Sequence, residues 1–332
     1  MDPLSEVLAT LRVSSMLSTR FEGRGGWAFH FPTHEHVKFG GVLAGQFKLR
    51  LDGSDEALTL QAGDFYMLTT GAPFCSASDL SRVPLDGPTS YRSVRTADGL
   101  VRWEGERGDW PAVSLAGGRF TFEDDVGDLL LRHLPPIIHL PAREGGATAL
   151  ALLLGLLRDE TDDAPKPGAE VARRSLAALV LVSALRAHLA AAREPAGWLG
   201  ALTDPQIGRA LSLMHAAPAQ RWTLHDLAGR VGMSRTAFAA RLRQRVGQAP
   251  LEYLKHWRMS LARGVLRHSD DPLARIAERI GYGSDTAFSI AFKNSTGLSP
   301  RQFRMQARSS AGETRAGAAR SPQAPRVDGN QR

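Results

Sequence analysis

Leu227-Ala228-Gly229-Arg230-Val231-Gly232 returns 49 residues later as Ile276-Ala277-Glu278-Arg279-Ile280-Gly281. Ala237-Phe238, Gly247 and Pro250 return 50 residues later as Ala287-Phe288, Gly297 and Pro300. The offset grows by one between the matched Gly and the matched Phe, so one extra residue sits in a turn. Each copy reads as a short helix, a glycine-containing turn and a second helix, the grammar of helix-turn-helix DNA binding. Two such units on one segment imply a chain that holds two stretches of duplex at once.

In copy one, Thr223-Leu224-His225-Asp226 has the form of a capping box, and Leu227, Ala228 and Val231 supply an inward face. Gly232 suits the turn, and Ser234 is placed to cap the next helix. On that helix Phe238, Leu242 and Val246 form one stripe, with Arg235, Thr236, Arg241, Arg243 and Arg245 opposite. A helix apolar behind and basic in front is what entry into a major groove requires. Copy two starts at Asp271-Pro272 as N-cap and N1, buries Ile276 and Ile280, turns at Gly281, and caps its reader with Ser284 or Asp285. Phe288 and Phe292 point inward there, leaving Thr286, Ser289 and Lys293 toward the groove. Ser299-Pro300 opens a closing helix with Arg301, Arg304 and Arg308. Between the copies Leu254, Trp257, Leu261 and Val265 predict an amphipathic helix that fixes their spacing, since successive groove faces lie about 34 Å apart. An accidental likeness within a helical bundle would have no reason to match two Gly, two Phe and two Pro.

Charge is shared unevenly. Residues 201–332 carry 21 Lys+Arg against 9 Asp+Glu, and residues 1–200 carry 20 against 25. A basic region beside a mildly acidic one makes nucleic acid the partner of the former. Cys75 is the single cysteine, which excludes an internal disulfide and a multi-cysteine zinc site within one chain. It is read as a buried inert thiol, because a redox role needs a lowered pKa. No secretory signal opens the chain, and the longest apolar run, near Ala149–Leu157, falls short of the roughly 20 residues that span a bilayer. The expectation is a cytoplasmic protein without a membrane partner.

Residues 21–125 alternate in strand fashion: Trp27, Phe29 and Phe31 against Ala28, His30 and Pro32, then Phe47, Leu49 and Leu51 against Lys48, Arg50 and Asp52. Turn signals at Asp52-Gly53, Ala62-Gly63-Asp64 and Gly71-Ala72-Pro73 give short strands suited to a small barrel or sandwich. From Ala147 the period becomes helical, broken at Pro165–Gly168 and resumed over about Ala169–Arg193. Its apolar stripe packs on the barrel or forms a homodimer seam over about 147–193. Glu194–Gly197 is a linker, and 309–332 is expected to be a disordered tail.

Residues of about 205–306 resemble the DNA-binding domain of AraC/XylS-type transcriptional regulators. Ala277–Tyr282, Phe288, Phe292-Lys293, Gly297, Ser299-Pro300 and Phe303-Arg304 carry that resemblance. It implies base contacts at Thr236, Ala239 and Ala240 in copy one, and at Asp285, Thr286, Ser289 and Ile290 in copy two. Ala240 and Ile290 stand where many relatives have Arg; they can touch a thymine methyl but make no bidentate guanine contact. Arg235, Arg241 and Arg243 would then carry more of the binding through phosphate. Residues 1–200 resemble the cupin-like sensory domain of a subset of these regulators, through Asp2–Ser5, Leu49–Gly53, Leu60–Asp64 and Gly197–Leu199.

The whole is thus expected to be α+β with two domains, a cupin-like β-barrel with following helices (1–200) and an all-α tandem helix-turn-helix domain (205–306). His34 and His36 lie at i, i+2 and could share a metal. Metal-binding cupins add a Glu at what here are Gly40 and Gly41, and a His at what is here Phe74, so no metal or cofactor is expected. The His pair is instead placed at the rim or in a small-molecule pocket with Trp27, Phe29 and Phe74. The leading reading is a regulator of promoter DNA controlled by a small-molecule effector, with RNA polymerase a partner if it activates. A cupin-type metal enzyme with an accessory DNA-binding domain is the alternative.

Overall fold

The computed structural model describes residues 4–5, 13–96, 99–108, 110–122, 134–143, 147–162, 167–191, 197–307 and 309. Of the expected linker Glu194–Gly197, residues 194–196 lie outside them and Gly197 instead opens a short helix; the tail beyond 309 also lies outside them. The chain divides into two compact units, Met1–Ala216 with Leu224–Pro250, and Ala217–Thr223 with Leu251–Arg332.

The first unit opens with β1 (Val13–Arg24), β2 (Ala28–Phe31), β3 (Val37–Ala44), β4 (Gln46–Leu51), β5 (Leu58–Gln61), β6 (Phe65–Leu68), β7 (Phe74–Ala77) and β8 (Leu85–Asp86). Helix α1 (Gly87–Ser93), β9 (Leu100–Glu104), β10 (Val113–Phe122) and β11 (Ile137–Leu140) follow. They form a six-stranded sheet in the order β11-β6-β3-β10-β1-β9 and a five-stranded sheet in the order β5-β4-β7-β2-β8. The expected alternation holds in β4, where Phe47 and Leu49 are buried while Gln46, Lys48 and Arg50 are exposed. Phe21, Val42, Leu68 and Leu115 of one sheet share a core with Phe29, Phe47, Leu60 and Phe74 of the other. Burying such side chains contributes about 1.5–3 kcal/mol each. Asp64 closes one turn: its carboxylate accepts from the amides of Gln61 and Ala142, at 3.0 and 2.9 Å, and lies 2.9 Å from His139 Nε2. Although burial opposes it, these hydrogen bonds hold the Asp64 carboxyl below the usual range.

Next come α2 (Ala147–Asp162) and α3 (Ala169–Ala191). An 18-residue stretch of the 23-residue α3 has a mean hydropathy of 1.4, so the helix is long and apolar enough to cross a membrane by length and composition. Its Ala and Leu are interrupted by Arg173, Arg174 and Arg186, so no uninterrupted apolar run of that length marks it in the sequence. In the fold Ala177, Val180, Leu181, Ala184 and Leu185 of α3 are buried, and the helix packs on α2, β1 and β11. Helices α4 (Gly197–Ala201), α5 (Pro205–Ala216), α6 (Leu224–Arg230) and α7 (Arg235–Val246) complete this unit. α4 packs on α7, so the first helix-turn-helix groups with the barrel chain.

The second unit holds α8 (Pro250–His268, after its first residue), α9 (Leu273–Arg279), α10 (Asp285–Thr296) and helical residues 300–307. Met259, Ala262, Leu266, Ile276, Ile280, Phe288 and Phe292 make its core. Phe292 meets Phe303 edge-on at 5.4 Å, which ties the closing helix to α10.

Candidate nucleic-acid interface and barrel cavity

The reading helices are α7 and α10, and their backbones are set by the same devices. Ser234 is extended, and its hydroxyl accepts from the Ala237 amide at 3.2 Å; Ser284 accepts from the Ala287 amide at 3.1 Å. Each helix ends at a left-handed glycine, Gly247 or Gly297, whose amide donates to Arg243 or Lys293 carbonyl oxygen at 2.8 Å. The preceding turns need Gly232 and Gly281 at φ 68° and 86°, a region disfavoured for side chains with a Cβ. Phe238 and Phe288 are both fully buried.

Exposure repeats as well. Over 235–244 and 285–294 the succession of exposed, half-buried and buried residues is the same at all ten positions. Arg235, Thr236, Ala240 and Arg243 are exposed with Ala239 half-buried; Asp285, Thr286, Ile290 and Lys293 are exposed with Ser289 half-buried. These expected contact residues thus share one face of each helix.

Arg241 departs from the expected basic front. Its Nε donates to Asp204 Oδ2 at 2.7 Å and its Nη1 to Gln206 Oε1 at 2.9 Å, so it faces the start of α5. Asp204 is almost wholly buried, and its other oxygen caps α5 by accepting from the Gln206 and Ile207 amides. A helical wheel showed Arg241 off the Phe stripe but could not show a carboxylate 37 residues upstream. A second correction concerns α9: its N-cap is Pro272, without a side-chain cap, and Asp271 instead lies 3.6 Å from Arg275. In the closing helix Arg301 is exposed, whereas Arg304 donates to the Asp271 carbonyl at 2.7 Å. Arg308 lies outside the described residues.

Between the sheets lies a cavity of about 170 Å³. It takes in His36 and Phe74 of the expected pocket residues, but neither Trp27, Phe29 nor His34. Trp27 and Phe29 are core, stacked at 5.5 Å, because their strand turns them into the sheet-to-sheet packing. His34 stacks on His36 at 4.8 Å, and its Nδ1 lies 2.7 Å from the His36 carbonyl. Burial, then Lys38, lowers its pKa to about 4; His36 is lowered by the same causes. Both rings are neutral at pH 7.

Among the cavity residues that escaped the sequence reading are Lys38, Tyr66, Tyr91 and Arg119. Tyr91 sits on α1, which Asp86 caps by accepting from the Thr89 amide at 2.9 Å. Asp86-Gly87-Pro88 was a readable helix start. Tyr66 lies opposite Gly40 across β3 and β6, and a Cβ at Gly40 would come within 2.6 Å of its hydroxyl. A Cβ at Gly41 would meet Leu154 at the same distance. The places where metal-binding cupins carry a Glu are thus filled by a phenol and a leucine. Among the described residues no three His, Cys, Asp or Glu side chains are grouped to hold a metal ion, so the donor set does not fit one. Cys75 is buried, and burial pushes its thiol pKa up, as an inert thiol requires.

A β-barrel domain in one chain with two equivalently built helix-turn-helix units is the architecture of a helix-turn-helix DNA-binding protein. Comparison with known proteins agrees: residues 2–190 match the family described as Cupin, and residues 227–306 match the family described as Helix-turn-helix domain. A Streptomyces antibioticus protein named for AraC-like transcription regulation is 40% identical over 92% of this chain and 98% of its own. The HTH-type transcriptional regulator AlkR of Acinetobacter baylyi is 29% identical over 92% of this chain and 100% of its own. Among solved structures, an AraC-type transcriptional regulator from Chromobacterium violaceum is 28% identical, covering 32% of this chain and 94% of that one at a TM-score of 0.30. The chain belongs to the AraC-type transcription regulators with an N-terminal cupin domain. It is a DNA-binding regulator and not an enzyme.

Proposed function

We propose that residues 205–306 act together on promoter DNA, α7 and α10 entering adjacent major-groove segments, while a small molecule in the barrel cavity sets promoter occupancy. The observation that carries this reading is the ten-residue match in exposure between the two reading helices. Identical seating gives each helix the same outward face, and one such face per groove segment is the economical use of a repeat. Thr236, Ala239 and Ala240, with Asp285, Thr286, Ser289 and Ile290, supply the base contacts; Arg235, Arg243 and Lys293 supply phosphate contacts. Leu152, Leu156, Val171 and Leu179 are exposed on α2 and α3 and would form the seam of a homodimer. The regulator would work in the cytoplasm, and RNA polymerase would be its partner at promoters it activates.

Hydroxyl-radical footprinting on the promoter nearest the gene tests the reading. Two protected patches about one helical turn apart are expected, with affinity falling steeply as salt rises. One uninterrupted short patch, or affinity flat between low and moderate salt, would overturn it.

A further inference from the structure

The barrel cavity is walled by rings and holds an uncompensated cation. Seven of its fifteen lining residues are Phe or Tyr, and none is Asp or Glu. The Lys38 ammonium lies 4.8 Å from the Phe31 ring centre and 4.6 Å from that of Phe74, two rings stacked at 4.9 Å. Among the described residues no carboxylate forms an ion pair with Lys38. Arg119 lines the same space as a second cation beside the neutral His36, so the lining carries positive charge and no carboxylate. Burying an ammonium is costly, and ring faces offset only part of that cost. Tyr66 and Tyr91 bring phenolic donors to the wall, and burial raises both pKa values, Tyr66 to about 12, so they keep their protons. An apolar cavity of about 150 Å³ admits benzene, which sets the scale of the body that fits.

We propose that this cavity binds a small organic carboxylate, its charge on Lys38 and its ring-sized apolar body against the aromatic wall. The inference rests on the barrel being the sensor, and it names the class of effector that sensor takes. The carboxylate would accept from the Lys38 ammonium and the tyrosine hydroxyls. Affinity also carries a pH signature. Burial lowers the Lys38 pKa to about 8, and a bound anion raises it again. Binding is therefore strongest between the pKa of the carboxylic acid and pH 8, and it weakens as pH rises beyond 8. Of the other groups facing Lys38, His34 and His36 are already neutral and Tyr66 and Tyr91 keep their protons in that window, while the Arg119 guanidinium lines the same space.

Calorimetric titration of the full chain with phenylacetate, cyclohexanecarboxylate and hexanoate, each against its amide, tests the proposal. At least one acid is expected to bind at least about tenfold more tightly than its amide, the scale of a desolvated charge-assisted hydrogen bond. Lys38→Met should erase the preference for the acid, and Lys38→Arg should keep it. Equal affinity for acid and amide, unaltered acid binding in Lys38→Met, or no binding of any acid at millimolar concentration would overturn the proposal. Should Lys38→Met fail to fold, the acid-to-amide comparison and the loss of affinity above pH 8 in the wild type decide. Acid binding with unchanged promoter affinity would uphold the ligand class and overturn the sensory reading.

Discussion

Helices α7 and α10 occupy equivalent places in two copies of one motif, yet they agree inside and differ outside. Both are capped by a serine, closed by a left-handed glycine and anchored by a fully buried phenylalanine. Their charges diverge: α7 carries four Arg, of which Arg235 and Arg243 are exposed, and no acid, whereas α10 carries one Lys and one Asp. Fifty positions separate Arg235 from Asp285, Ala240 from Ile290 and Arg241 from Ala291, while Thr236 matches Thr286. Packing density leaves the inward face little freedom, so the repeat survives there. The outward face answers to DNA, and two stretches of DNA need not be alike. On the proposed reading, the first helix would grip phosphate and the second would read base edges with neutral groups.

The comparison is broken most readily at its shared interior. Phe238→Ala and Phe288→Ala should each lower stability by about 3–5 kcal/mol, the range for emptying a buried aromatic site. Urea denaturation of the two variants measures this. A cost below about 1 kcal/mol at either site would mean that the two helices are not seated alike.

The exterior should split in the opposite way. Arg243→Ala should weaken promoter and random duplex together and reduce the salt slope by about one. Ser289→Ala should leave that slope unchanged and cost about 1–3 kcal/mol on the promoter only, the scale of one lost base contact. Fluorescence anisotropy at several salt concentrations separates the two. A slope that drops for Ser289→Ala would erase the division of labour between the readers.

Arg241 sharpens the same contrast, because it looks like Arg243 in sequence and is used differently in the fold. Its side chain is 41% exposed while the Asp204 side chain it meets is 3% exposed. Solvent screening at the Arg241 end limits the pair to about 1 kcal/mol. Arg241→Ala should lower the melting temperature by a few degrees and leave the salt slope at the wild-type value. A slope reduced by one with unchanged melting would return Arg241 to the DNA-facing set.

Legibility followed the range of the interaction that decides each feature. The repeat, Phe238, Phe288 and the serine caps were readable because helix period and capping act within a few residues. The alternation of Phe47 and Leu49 in β4 was readable for the same reason. The cavity was legible only at His36 and Phe74: Lys38, Tyr66 and Tyr91 come from β3, β6 and α1, and only the tertiary fold brings them to one space. Trp27 and Phe29 were read as pocket residues because alternation says that a residue points inward, not whether it meets a void or a neighbour. Arg241 was misplaced for a related reason, since Asp204 reaches it through a tertiary contact.

The smallest effect tests whether the readers are equivalent at their entrances. Ser234→Ala and Ser284→Ala each remove one side-chain acceptor from an exposed helix start, which costs about 1 kcal/mol. The backbones differ there: Ser234 has φ −69° and Ser284 φ −154°, although both hydroxyls reach the amide three residues on. Following residues differ too, Arg235 against Asp285, and an acid in a first turn favours the helix dipole where a base opposes it. Asp285 therefore stands in partly for a lost cap at α10, and Arg235 cannot do so at α7. Ser234→Ala should accordingly be the more damaging of the pair by a few tenths of a kcal/mol, read from paired denaturation curves at low salt. The gap should close in high salt, where the charge–dipole interaction is screened. A larger loss at Ser284 would show that capping strength there is set by the backbone entry, and not by the charge that follows it.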